Sequence, residues 1–140
     1  GDKEDFLAEA YRILKPGGRL AIADFFREKI EPRTEDDILM RRWVKSWAIP
    51  DYAVTVEFEE KMRRVGFEDH HIRDITPKVY PSIKRLYQAF FPGFLLTYLL
   101  QFLGIRNKLQ TANTWSTYYQ YHAYKRNLWR YNMVTARKPI

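Results

Sequence analysis

The chain has 140 residues, of which 46% are hydrophobic and 16% aromatic, a composition that excludes a solvated, coreless polymer and allows one domain with its own core. It holds no cysteine, which excludes disulfides, zinc–thiolate sites and cysteine nucleophiles and is compatible with a reducing compartment. The formal net charge of +7 invites phosphate or anionic-membrane partners, but Lys and Arg never run longer than a pair, which argues against nucleic acid.

The N-terminal GDKEDFLAEAYRIL has no basic segment leading into an apolar one, so it does not read as a secretory signal. Asp2 is placed to cap a helix with Lys3, Glu4 and Asp5 in its first turn, and Phe6, Leu7, Ala10, Ile13 and Leu14 share a face. Pro16-Gly17-Gly18 stops that helix. Arg19 to Asp24 is a short, nearly continuous apolar run, the pattern of a strand covered on both faces, as in parallel sheets. Such a strand needs neighbours, because an unpaired apolar edge invites aggregation.

A charged, turn-rich stretch (REKIEPRTEDD) leads to a helix expected over Glu35 to Ala48 and stopped before Pro50. Val56 to Val65 reads as a further helix, capped by Thr55 and ended by Gly66, and Phe67 to Thr76 as a second strand. Helix, glycine, strand is the return half of an α/β unit. Tyr80 to Phe91 is expected to be helical, broken by Pro92 and followed by the most apolar segment, Phe94 to Ile105. Gln110 to Leu128 reads as an aromatic helix, and Trp129 to Arg137 alternates as a closing strand.

In this order the parts are recognisable. LKPGGRLAIADFF resembles the segment around the fifth strand of class I S-adenosylmethionine-dependent methyltransferases, where a helix ends in L-x-P-G-G. MRRVGF followed by EDHHIRDIT resembles that family's next helix and sixth strand, and YNMVTARKP its antiparallel seventh strand, inserted between the fifth and sixth. The resemblance runs over essentially the whole chain and is greatest to the branch acting on small, often lipophilic acceptors, such as tocopherol and sterol methyltransferases. It implies an α/β fold: a partial Rossmann-like methyltransferase sheet comprising the last three strands, with a helical cap formed by residues 27–55 and 77–128.

The family holds its methyl donor in an N-terminal half, on an acidic, glycine-rich turn after the first strand and an acid after the second. No G-x-G-x-G occurs here, and the one Gly-Gly pair is the helix stop. No residue of this chain is assigned to the cofactor, S-adenosylmethionine. The expectation is the C-terminal, acceptor-selecting part of a methyltransferase, inactive by itself and cytoplasmic or membrane-peripheral. Its partners are a small, apolar or aromatic acceptor and, along the edge of the first strand, the missing N-terminal half or a partner chain. A non-catalytic interaction or lipid-binding module derived from such a cap is the alternative.

Ligands of open α/β sheets lie outside the carboxyl ends of the strands, which would set Asp24, Phe25 and Phe26 beside the acceptor; equally, Asp24 caps the next turn and the two rings are core. Trp43 and Trp47 share a helix face and either wall the acceptor or anchor the helix. His122, among Trp115, Tyr118, Tyr119 and Arg126, is the candidate general base, with a packing role as the plain alternative. Tyr87 and Tyr118 join the substrate-binding set. His70 and His71 point to opposite faces of a strand and lack a third ligand, so no metal site is expected. Ala89 to Ile105 is 17 residues, roughly 25 Å as a helix, too short to span a bilayer. It is open to three uses: a buried cap helix, a subunit interface, or a face touching a membrane.

Overall fold

The computed structural model describes residues 3–140, which fall into two compact units. Asp2 and its expected cap lie outside the described residues.

Among the described residues the first unit comprises residues 3–28, 52–76 and 129–140. It contains helix α1 (Lys3–Ile13), strand β1 (Arg19–Arg27), the two-residue strand β2 (Ala53–Val54), helix α3 (Thr55–Val65), and strands β3 (Glu68–Asp74) and β4 (Trp129–Arg137). The sheet order is β2-β1-β4-β3, with β4 antiparallel to both its neighbours and in nine-residue register with β1, from Arg19 opposite Arg137 to Arg27 opposite Trp129. A last strand inserted antiparallel between two earlier ones is the topology the sequence led us to expect.

The core lies on one face of this sheet, where Leu7 and Ala10 of α1 and Phe58 and Met62 of α3 meet Phe26, Val134 and Ala136. Alternation in the strands puts Ala21, Ala23 and Met133 on the other face, where all three are exposed. Over Arg19 to Asp24 this corrects the expectation of a strand covered on both faces, since α1 and α3 cover one only; nearer Arg27 the other face is closed as well, with Trp129 wholly buried. The strand also runs three residues past Asp24, because Phe25 and Phe26 continue the ladder against Tyr131 and Arg130.

The helix stop is pinned by the end of the chain. Gly17, at φ 74°, donates to the carbonyls of Lys138 and Pro139, Gly18 donates to Lys15, and the Lys138 ammonium reaches the carbonyls of Tyr11 and Leu14 at 2.8 and 2.9 Å. Those carbonyls belong to the open end of α1, so the lysine acts as a C-cap from the far end of the sequence. Thr55 does not cap α3 as expected: Val54 holds the cap position, and the Thr55 hydroxyl accepts from Asn132 Nδ2 at 3.3 Å. Gly66 ends α3 at φ 104°.

The second unit comprises residues 29–51 and 77–128. Helix α2 (Glu35–Trp47) starts at Thr34, whose hydroxyl accepts from Asp37 N, and ends at Ala48 in the left-handed conformation. Helix α4 (Thr76–Phe102) is continuous through Pro81 and Pro92, which corrects the expected break. Pro92 removes one helical hydrogen bond, but packing on helix α5 (Lys108–Lys125) holds both sides of it: Tyr87 on Tyr121, and Phe90 and Phe94 on Trp115. A capping box, in which the Asn107 and Gln110 side chains satisfy each other's backbone N–H groups, opens α5.

Candidate functional site

In the second unit α2 and α5 each present one mixed face. Glu35, Ile38, Leu39 and Arg42 recur at helical spacing on α2, and Tyr118, Tyr119, His122 and Arg126 do so along α5; together they line an open cavity of about 310 Å³. Arg126, at the C-cap of α5, holds this arrangement: its guanidinium lies 2.9 Å from Asp36 and 3.5 Å from Glu35 in the first turn of α2.

His122 sits on the wall of that cavity. Its ring centroid is 4.3 Å from that of Tyr118, and its Nε2 is 3.5 Å from the Tyr87 hydroxyl, a long contact that leaves the nitrogen weakly engaged. Partial burial, and then the positive charge of Arg126, hold its pKa below the usual imidazole range. The imidazole is therefore neutral near pH 7, with a lone pair able to take a proton.

The other expected residues are distributed differently. Tyr87, Tyr118 and His122 come together as one aromatic cluster, joined by Tyr121. Trp43 is wholly buried and packs edge-on to Trp47, whose indole N–H donates to Ser116 on α5. Neither tryptophan lines the 310 Å³ cavity. In the first unit Asp24 and Phe26 line a smaller hollow of about 270 Å³ with Lys3, Phe6, Ile22, Ala53 and Phe58. The Asp24 carboxylate accepts from the Phe25 backbone N–H at 2.7 Å within the strand, so it does not cap a following turn. Phe25 points to the opposite face, among Tyr52, Trp129 and Tyr131. Helix α2 was expected at the acceptor through Trp43 and Trp47; it lines the cavity instead with Glu35, Ile38, Leu39 and Arg42.

The glycine turn offers no cradle for a nucleoside donor. Both N–H groups of Gly17-Gly18 are committed to backbone carbonyls, and a Cβ at Gly18 would come within 2.7 Å of the Lys15 carbonyl. The turn also precedes β1, away from the carboxyl end where such ligands bind.

No protein-family model matches the sequence. Two curated proteins align along nearly all of it: an S-adenosyl-L-methionine-dependent Diels-Alderase of Talaromyces variabilis, 28% identical over 97% of the chain, and a probable chloroplastic tocopherol O-methyltransferase of rice, Oryza sativa subsp. japonica, 24% identical over 99%. Among solved structures, phosphoethanolamine N-methyltransferase 2 of Haemonchus contortus matches 99% of the chain with a TM-score of 0.67 at 19% identity. The chain is a relative of the S-adenosylmethionine-dependent methyltransferases. It spans 46% and 38% of the two curated relatives and 30% of the nematode enzyme. Partial coverage of this kind, with the β1-β4-β3 order, agrees with the C-terminal half of the methyltransferase fold.

Proposed function

We propose that this chain is the acceptor-selecting portion of a methyltransferase acting on a small apolar or aromatic molecule, with the 310 Å³ cavity as the acceptor site. The observation that carries the reading is His122: a neutral imidazole on the wall of a cavity lined by Tyr118, Tyr119, Ile38 and Leu39. The apolar and aromatic walls suit a ring or short hydrocarbon, and His122 suits the hydroxyl or amine whose proton must leave when its oxygen or nitrogen is methylated. Arg42 and Arg126 on the same wall suit a polar substituent on the acceptor.

The donor, S-adenosylmethionine, supplies the methyl group, and the residues of this chain do not fit it. We assign it to residues outside the chain. The free edge of β1 is where they attach in this reading: among the described residues β2 pairs only with Phe26 and Arg27, and the strand from Arg19 to Phe25 has no ladder on that side. The exposed face around Ala21, Thr135 and His71, which carries an open hollow of about 500 Å³, is then covered as well.

Two titrations of the 140-residue chain test this. Calorimetry with S-adenosylmethionine is expected to be silent, and micromolar binding would overturn the donor assignment. Small phenols, followed by NMR, are expected to shift the signals of His122 and Tyr118; shifts confined to other residues would remove the cavity from the reading. One observation favours a second reading: the relative named as a Diels-Alderase aligns over 97% of the chain. A cavity that orients an apolar substrate for ring closure needs no general base, so an unchanged rate for His122→Gln in the full-length enzyme would favour that reading.

A further inference from the structure

The second half of α4 leaves its apolar side bare. Leu95 and Phe102 are 77% and 87% exposed, and Phe91, Leu96 and Leu99 are each more than half exposed, as are Leu103 and Ile105 just beyond the helix. Residues 91, 95, 99 and 102 follow one another at intervals of four, four and three and form one stripe, with Leu96 and Leu103 on its flank. The opposite side of α4 is the one packed on α5, through Tyr87, Phe90, Phe94 and Thr97. The stripe is thus surplus to the core of its own unit, and scattered single exposure does not describe it.

Charge says what covers it. From Pro77 to Leu128 there are seven Lys or Arg residues and no Asp or Glu, so the whole formal net charge of +7 resides there while the other 88 residues balance. Lys84 and Arg85 stand at one end of the stripe and Lys108 at the other, and none of the three meets a carboxylate among the described residues; Arg106, also at that end, is half-buried, and its guanidinium donates to the Gln110 carbonyl and the Thr114 hydroxyl. Lys84 lies seven residues before Phe91, two turns back on the same side of the helix. A second copy is a poor occupant, because pairing two such faces in either direction sets cation against cation at both ends.

We propose that this face of α4 docks on an anionic lipid surface. The helix lies in the interface with its leucines and phenylalanines among the upper acyl chains, roughly 5–10 Å deep, and Lys84, Arg85 and Lys108 meet lipid phosphates and carboxylates. It does not cross the bilayer: no described helix is long and apolar enough. Apolar insertion supplies the attachment and the cations supply the preference for negative headgroups.

The test is flotation of the 140-residue chain with phosphatidylcholine vesicles, pure or carrying about 30% phosphatidylserine, a surface on which each basic residue adds affinity. Binding to the anionic vesicles is expected, at least about tenfold weaker to the neutral ones, and weakened by salt as the screening length shrinks. The double variant Leu95→Ser/Phe102→Ser should lose most of the binding with its circular dichroism unchanged. Replacing Lys84, Arg85 and Lys108 by Gln should abolish the preference for the anionic vesicles. Because the chain has no cysteine, Phe102→Cys carries an environment-sensitive fluorophore at one site, whose emission should shift to the blue at lower lipid concentration on anionic than on neutral vesicles. The proposal is overturned by absence of binding to anionic vesicles, or by binding that Leu95→Ser/Phe102→Ser leaves intact. A dimer in sedimentation equilibrium that this double variant dissolves would also overturn it, by assigning the face to a second copy.

Discussion

Tyr87 of α4 and Tyr121 of α5 stack face to face, with ring centroids 4.0 Å apart and planes 10° from parallel, and the Tyr87 hydroxyl stands 3.5 Å from His122 Nε2. One residue thus joins the two long helices and touches the candidate base. The joining belongs to the ring, and the contact with His122 to the hydroxyl. Tyr87→Phe should therefore change stability by less than about 0.5 kcal/mol, since a polar contact at 3.5 Å is weak, while Tyr87→Ala should cost about 2–3 kcal/mol in lost burial and stacking. Urea unfolding of the two variants separates these roles.

His122 supplies a pH signature. Burial, then Arg126, lowers its pKa in the folded state below the ordinary imidazole value of about 6.5. Between the lowered value and that ordinary one the unfolded chain binds more protons than the folded one, so stability rises with pH across this window. The contribution is fully present above about 6.5 and is lost as pH falls through the folded value. His122→Gln should flatten this slope. Arg126→Gln should raise the titration midpoint read by NMR only part of the way, because burial is the larger cause.

Two glycines should respond in opposite senses. Gly66 ends α3 at φ 104°, and a Cβ there would lie 3.3 Å from the Tyr11 hydroxyl. Gly66→Ala should cost about 1–2 kcal/mol, the strain of a left-handed residue with a side chain. Gly93 sits inside α4, where an added Cβ meets nothing within 4 Å. Gly93→Ala should gain about 0.5–1 kcal/mol by the usual helix preference. Thermal melts of both variants check the pair.

The Lys138 ammonium donates to the carbonyls of Tyr11 and Leu14 and lies 4.6 Å from the centroid of the Tyr11 ring. Lys138→Met keeps the aliphatic stem and removes the donors from the open end of α1. A loss of about 1–2 kcal/mol is expected from two charge-assisted hydrogen bonds. Hydrogen exchange should show it as faster exchange at the C-terminal end of α1, with β3 unaffected.

Features set by near neighbours were legible in advance. The helix stop at Gly17-Gly18, the end of α3 at Gly66, the bounds of β4 and the start of α2 follow from local backbone preference and from period, which a few residues suffice to express. The capping box at Asn107 and Gln110 was equally local and went unread. The bounds that failed depend on distant partners. β1 reaches Arg27 because Tyr131 and Arg130 continue its ladder, and the Thr55 hydroxyl bonds Asn132 instead of capping α3. α4 passes through Pro92 with Trp115 packed on Phe90 and Phe94, one on each side of the proline. Of the candidate site, the aromatic surroundings of His122 were visible along α5 and α2 was expected at the acceptor, whereas which face of α2 lines the cavity was decided by packing on residues some eighty positions away in the chain.

Taken alone, the sequence determined that this is an α/β chain with a methyltransferase-like order of helix stop, strand and closing strand, and that its glycines do not form a donor-binding turn. Tertiary structure decided which face of β1 is covered, that Trp43 is interior, and that His122 shares a cavity with Arg42 and Arg126. The reason is range: turns and periodicity act over a few residues, whereas burial, pKa and cavity shape depend on atoms that only folding brings within a few ångströms of one another.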